Sequence, residues 1–149
     1  MTNILLIVLG LVLGCLVLSY FFAPARLFDA LVLFTRFRAK LNLRYCDVDG
    51  HRMPYLIGGD GPPLVLLHGF GADKDHWSVV SRYLTKHFTV YAPDLPGFGG
   101  ADRKIEASYG REAQIERLKM FLDGLNLSEI NLGGLSLIHI SEPTRLSTI

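Results

Sequence analysis

Residues Leu64–Gly71 read LVLLHGFG and carry the strongest indication of the fold. The apolar run Leu64–Leu67 is bounded by Gly61-Pro62-Pro63 and His68-Gly69, which predicts a short buried parallel strand because the run is too short for a helix. Open α/β sheets bind ligands at the carboxyl ends of such strands, where glycines let backbone N–H groups approach a ligand closely. The stretch therefore suits an oxyanion hole, in which fixed N–H donors face a carbonyl oxygen that gains charge; the alternative is an ordinary strand-to-loop turn.

A second glycine-rich stretch, Tyr91–Gly99, reads YAPDLPGFG and follows another predicted strand, Phe88–Ala92. Nearer the amino terminus, Leu43–Asp47 and Arg52–Ile57 predict a β-hairpin. Its turn is Asp49-Gly50, a dipeptide that favours a tight primed turn.

Two sets of apolar residues recur at helical intervals between these strands. The first set is Trp77, Val80 and Leu84, and the second, on a helix that begins near Tyr109, is Ile115, Leu118, Leu122 and Leu125. A last strand is predicted at Ile130–Leu132. The order of two strands followed by strand–helix–strand–helix–strand predicts the first half of an open α/β sheet, with the last three strands parallel.

These motifs resemble the α/β-hydrolase superfamily. The resemblance runs from about Leu43 to Gly134 and rests on HGFGADKDHW (His68–Trp77), DLPGFGGADR (Asp94–Arg103) and INLGG (Ile130–Gly134). Within the superfamily the motifs are similar to those of membrane-anchored bacterial lipases and of the monoacylglycerol-lipase branch. The resemblance implies an α/β fold: the N-terminal half of an α/β-hydrolase sheet, here preceded by a transmembrane helix.

The resemblance also assigns roles to the motif residues. It implies that the backbone N–H of Phe70 forms half of the oxyanion hole and that its side chain lines the acyl pocket, with plain core packing as the alternative. It implies that His68 holds its loop by hydrogen bonds, rather than acting as a base, and that Asp94 fastens a loop rather than serving as the triad acid. The family's structural glycines correspond here to Gly69, Gly71, Gly97, Gly99, Gly133 and Gly134.

The nucleophile position departs from the family pattern. A G-x-S-x-G elbow should follow the strand Ile130–Leu132, and Gly134-Leu135-Ser136 gives G-x-S, but Ile138 stands in place of the second glycine. Moreover, Leu135–Arg145 (LSLIHISEPTR) back-translates in one reading frame to a transposase-type sequencing-library adapter. We therefore expect residues 135–149 to be a non-native tail and Ser136 to be the nominal nucleophile position only.

The segment Ile4–Phe22 carries no charged residue and is long enough to cross a membrane as a helix. A cleaved signal peptide is the alternative, but Met1-Thr2-Asn3 lacks the basic residues of an n-region. Val12–Cys15 resembles a lipoprotein cleavage box only faintly, because the apolar run continues through it. Basic residues follow the span at Arg26, Arg36, Arg38, Lys40 and Arg44, so the positive-inside rule predicts a single-pass protein whose C-terminal domain is cytoplasmic.

The sequence thus predicts four regions. They are a transmembrane anchor at 1–22, a basic amphipathic juxtamembrane helix at 23–42, the hydrolase half-domain at 43–134 and the tail at 135–149. The helix at 23–42 either lies on the membrane surface or packs on the hydrolase domain. The formal net charge of +1 argues against a nucleic-acid partner, and the two cysteines give no disulfide framework and no metal spacing.

The resemblance implies a serine hydrolase that cleaves a lipid or small carboxylic ester by acyl transfer, with no cofactor or metal. The triad acid and histidine follow the nucleophile in this family, so we expect the 149-residue chain by itself to be inactive. Two alternatives stay open from the sequence. One is a carbon–carbon bond hydrolase of the same fold, and the other is a non-catalytic, membrane-tethered interaction module.

Overall fold

The computed structural model describes residues 2–134 of the chain. Its elements are α1 (Thr2–Phe22), α2 (Pro24–Arg38), β1 (Asn42–Val48), β2 (His51–Gly58), β3 (Pro63–Leu67), a 3-10 turn (Lys74–Trp77), α3 (Ser78–Leu84), β4 (Thr89–Pro93), α4 (Arg111–Gly124) and β5 (Asn131–Gly134). Each predicted strand and helix is present, with ends that differ by one to a few residues. The predicted tail and Ser136 lie outside the described residues.

The chain divides into two compact units between Thr35 and Arg36. In the first unit, α1 contains one segment, Ile4–Phe22, that is long and apolar enough to cross a membrane, with a mean hydropathy of 2.8 and none of it buried in protein. A signal sequence near the amino terminus has the same properties. The rest of this unit is most of α2, whose Phe28 and Leu31 are exposed to more than half of their surface.

The second unit is built around one five-stranded sheet with the order β1-β2-β4-β3-β5. β1 and β2 form the predicted hairpin, with Val48 opposite His51, and Asp49 and Gly50 both have positive φ (50° and 69°), as a primed turn requires. β2 is antiparallel to β4, whereas β3 is parallel to both β4 and β5. The mixed α/β fold and the three parallel strands are confirmed.

Both faces of β3 are covered, which explains its unbroken apolar sequence. Val65 and Leu67 point to the face on which α4 packs with Leu118, Phe121 and Leu122. Leu66 points to the opposite face, in a cluster with Val90 and Ala92 that also receives Ala39, Leu41, Trp77 and Leu84. Because side chains pack on both of its faces, β3 has a fixed position, and so has the start of the loop that follows its carboxyl end.

Candidate functional site

The three parallel strands have their carboxyl ends at the same end of the sheet, where the loops after β3 and β4 lie. In the register of β3 and β5, Leu67 is opposite Gly134, and in that of β3 and β4, Val65 is opposite Tyr91. The loop that carries Phe70 begins directly after Leu67. Phe70 and Gly134 therefore lie at the same end of the sheet, as the sequence predicts.

His68 is fully buried, and both of its ring nitrogens are engaged inside the site. Its Nε2 accepts a hydrogen bond from the Leu95 N–H (3.1 Å), so Nδ1 carries the proton and donates to the Gly69 carbonyl oxygen (2.9 Å). The ring thereby joins the loop after β3 to the loop after β4. This geometry leaves no ring nitrogen for a proton transfer and supports the structural role implied by the resemblance.

Phe70 lies at the surface of the loop after β3, with 83% of its side chain exposed. Its ring meets Phe98 edge to face at 5.7 Å, and this contact joins the two glycine-rich loops from outside. Within residues 2–134 the Phe70 side chain is thus not packed in the core. The turn is closed by the Ala72 N–H bonding to Gly69 O at 3.2 Å, and within residues 2–134 no acceptor meets the Phe70 N–H.

Asp94 ties the same two loops together from inside the protein. This fully buried carboxylate accepts hydrogen bonds from the Lys74 N–H (2.6 Å), the Lys74 ammonium (2.9 Å) and the Gly100 N–H (2.7 Å). All three donors belong to Lys74 and Gly100, which lie in the segments that follow β3 and β4. The arrangement supports the loop-fastening role that the resemblance implies for Asp94.

The glycines of the second loop are required by their neighbours. Gly99 has a φ of +51°, and a Cβ added there would lie 2.4 Å from the Asp94 carboxyl carbon. Gly97 has a φ of +88°, and its Cβ would lie 2.8 Å from the Tyr109 ring. Gly71, at φ +75°, shapes the first loop with open space around it. Gly133 and Gly134 sit on β5, beside Leu66 and Leu67.

Sequence reasoning missed a chain of charged residues behind the loop that carries Phe70. Arg36 binds Asp75 through two hydrogen bonds of 2.6 Å, and Asp75 lies 3.5 Å from the ammonium of Lys74, which Asp94 also binds. Burial alone raises the pKa of Asp75, but the hydrogen bonds and charge of Arg36 outweigh it and hold that pKa below its ordinary value. No local pattern signals these pairs, because Arg36 and Asp75 are 39 residues apart in sequence.

A cavity of about 360 Å³ opens between the two loops. It is lined by Gly71, Ala72, Asp73, His76, Phe98, Gly99 and Arg103. His76 and Arg103 were not singled out by the sequence motifs as lining residues, because their spacing in sequence gives no sign of a common wall. Among residues 2–134 no cluster of side chains is suited to a metal ion.

Known proteins resemble the chain in sequence and in structure. The sequence model of the alpha/beta hydrolase fold matches residues 62–137. A solved bacterial membrane phospholipase A has a TM-score of 0.74 and 37% identity, over 92% of this chain and 44% of that one.

Two curated relatives are lipases. Lipase 1 of Psychrobacter immobilis is 34% identical over 72% of this chain and 35% of its own length. Monoacylglycerol lipase ABHD6 of Homo sapiens is 27% identical over 76% of this chain and 34% of its own length. The chain thus spans only about one-third of the length of these curated relatives. By the family match, which spans β3, β4 and β5, the chain belongs to the alpha/beta hydrolase fold family.

Proposed function

We propose that the whole protein is a membrane-anchored serine hydrolase that cleaves a lipid carboxylic ester by acyl transfer. The observation that carries the proposal is the position of the Phe70 loop. It follows β3 beside the carboxyl end of β5, where the family's nucleophile elbow begins, and its N–H has no acceptor within residues 2–134. An N–H held there can stabilise the oxyanion of a tetrahedral intermediate formed by a serine that follows β5.

The substrate class is inferred from the surface of the loop and from the relatives. The exposed Phe70 ring packs edge to face on Phe98, which also lines the cavity, and this pair of aromatic rings offers an apolar surface to an acyl chain. The lipase names of the relatives and the membrane phospholipase A name of the solved structure favour the same substrates. A monoacylglycerol or another lipid ester is therefore the preferred substrate.

The oxyanion role is tested in the enzyme expressed from its complete gene. F70P removes the N–H donor and should lower kcat by about 10²–10³ with a small change in KM. F70A keeps the N–H and loses only the ring, so it should raise KM for long-chain esters more than it lowers kcat. Equal kcat losses in the two variants, with unchanged thermal midpoints, would contradict the role of the N–H. A panel that adds a carbon–carbon bond substrate distinguishes ester cleavage from the alternative reaction.

We further propose that α1 anchors the protein and that the sheet domain lies on the cytoplasmic side. The apolar segment Ile4–Phe22 supports the anchor, and the basic residues that follow it support the orientation. The chain should stay with the membrane after an alkaline carbonate wash. Protease added to intact spheroplasts should leave the sheet domain uncut. Cleavage within the sheet domain would contradict the proposed orientation.

A further inference from the structure

The outer side of α3 is apolar and basic, although this helix lies on the surface. Val79, Val80 and Tyr83 are exposed by 65%, 40% and 52% of their surface. Arg82 and Lys86 frame them, with the Arg82 guanidinium 4.4 Å and the Lys86 ammonium 5.8 Å from the Tyr83 ring centroid. These five residues are termed the α3 outer face.

The inward side of α3 packs on the sheet through residues that do not belong to the α3 outer face. Ser78 and Ser81 are buried against the sheet, and Leu84 joins the cluster of Leu66 and Val90. The α3 outer face is therefore not needed for the core of the domain. Neighbouring apolar side chains that stay exposed inside a polar rim are typical of a contact surface.

The charge of the α3 outer face is of one sign. From Trp77 to Phe88 the sequence contains Arg82, Lys86 and His87 and no acidic residue. Tyr83 combines an apolar ring with a polar hydroxyl group, which Arg82 hydrogen-bonds. Basic side chains around an amphipathic aromatic residue match the interface of a bilayer that carries anionic headgroups.

The position of α3 in the domain agrees with a membrane partner. Arg36, at the end of the helix that follows the apolar segment, is bound twice to Asp75, and the Asp75 carboxylate accepts a 3.4 Å hydrogen bond from Ser78, the first residue of α3. Ala39 and Leu41 pack on the same sheet face as α3. α3 therefore lies beside the first residues of the sheet domain, which follow α1 and most of α2 in the chain.

We propose that the α3 outer face is a second membrane contact, which binds the surface of a bilayer containing anionic lipids. Val79, Val80 and Tyr83 enter the headgroup region, and Arg82 and Lys86 bind lipid phosphates. The inference rests on the proposed anchoring by α1 but not on the proposed catalysis. Its consequence is that the sheet domain lies against the membrane in one orientation instead of turning freely on its tether.

The test uses the full chain in a C15S/C46S background, reconstituted in phosphatidylcholine vesicles with and without about one-third phosphatidylglycerol. An environment-sensitive fluorophore is attached at V79C, or at M120C as the control. Met120 is exposed by 49% on α4, which packs on the other face of the sheet. We expect V79C to shift to the blue and to be quenched by nitroxide lipids in the anionic vesicles, several-fold more than M120C.

Charge reversal and salt test the basic residues. R82E/K86E should remove the quenching at V79C, whereas R111E/K119E on α4 should leave it unchanged. High salt should weaken the quenching at V79C in the protein that keeps Arg82 and Lys86. This measurement tests the role of the two basic residues even if R82E/K86E fails to fold. Quenching of V79C that equals that of M120C, or that does not respond to anionic lipid and salt, overturns the proposal. So does a blue shift that disappears when the protein is diluted in lipid, because another protein copy then covers the face. Carbonate extraction of the same vesicles reports separately on the anchor.

Discussion

Replacing Asp94 with asparagine should destabilise the sheet domain strongly, because the buried carboxylate has three donors and the amide has one acceptor. The carboxylate oxygen Oδ1 accepts from the Lys74 N–H, while Oδ2 accepts from the Lys74 ammonium and the Gly100 N–H. In either orientation the amide of D94N directs its NH₂ group at one of these donors. Lys74 is buried, with 7% of its surface exposed, and in D94N its ammonium loses its nearest countercharge and keeps only Asp75, 3.5 Å away.

The size of the effect follows from the charge that is left behind. Removing one partner of a buried ion pair costs about 3–5 kcal/mol, which is a large part of the 5–15 kcal/mol that stabilises a typical domain. For a urea m-value of about 1.5 kcal/mol/M, we expect the midpoint of D94N to fall by about 2 M or more. D94N/K74M should recover part of the loss, because it removes the unpaired ammonium as well.

The measurement is urea unfolding in detergent, followed by the fluorescence of Trp77. This residue is the chain's one tryptophan, and it packs on the sheet against the cluster that contains Leu66 and Val90. D60N, at an exposed loop aspartate, is the matched control and should change the free energy of unfolding by less than about 0.5 kcal/mol. A loss below about 1 kcal/mol in D94N, or a double variant less stable than D94N, would show that the Asp94–Lys74 pair does not stabilise the domain in this way.

Three further predictions follow from single residues. Burial raises the pKa of Asp75, but the Arg36 guanidinium lowers it more strongly, so the pKa is lower in the folded than in the unfolded chain. The stability that Asp75 contributes is therefore complete above its unfolded pKa of about 4 and is lost as the pH falls through the folded pKa. In D75N the urea midpoint should consequently depend less on pH below about pH 4 than in the unaltered protein. Burial raises the pKa of Cys46 from 9.0 to about 11, so iodoacetamide at pH 8 should modify it roughly 100-fold more slowly in the folded chain than in urea, as peptide mass spectrometry would detect. G99A brings a methyl group against Asp94 and should lower the thermal midpoint by several degrees, whereas G124A, which meets no atom within 4 Å, should not.

The fold was predictable where the sequence carries a local pattern. The apolar run Leu64–Leu67 between glycine and proline residues predicts β3 because a strand covered on both faces needs such a run. Asp49-Gly50 predicts the register of the hairpin, since a two-residue primed turn fixes Val48 opposite His51. Helix spacing predicts α4, although the spacing pattern omitted Phe121, which is almost fully buried beside Leu118.

The support of the site was not predictable, because it is made by residues that are distant in sequence. Arg36 and Lys74 read as surface cations, yet one is bound twice to Asp75 and the other lies buried against Asp94. Pairing between charged residues depends on the tertiary fold and leaves no periodic signal. Likewise, the exposure of Phe70 depends on how the loops after β3 and β4 meet, which its apolar character does not reveal.

In the proposed enzyme, a serine that follows β5 acts beside the Phe70 N–H. The most direct measurement is the labelling of the whole protein, expressed from its complete gene, with a fluorophosphonate, followed by mass spectrometry of the modified peptide. We expect one modified serine within a few residues after Gly134, and loss of ester hydrolysis in step with its modification. Modification of a serine elsewhere in the chain, or hydrolysis that continues after complete labelling, would contradict it.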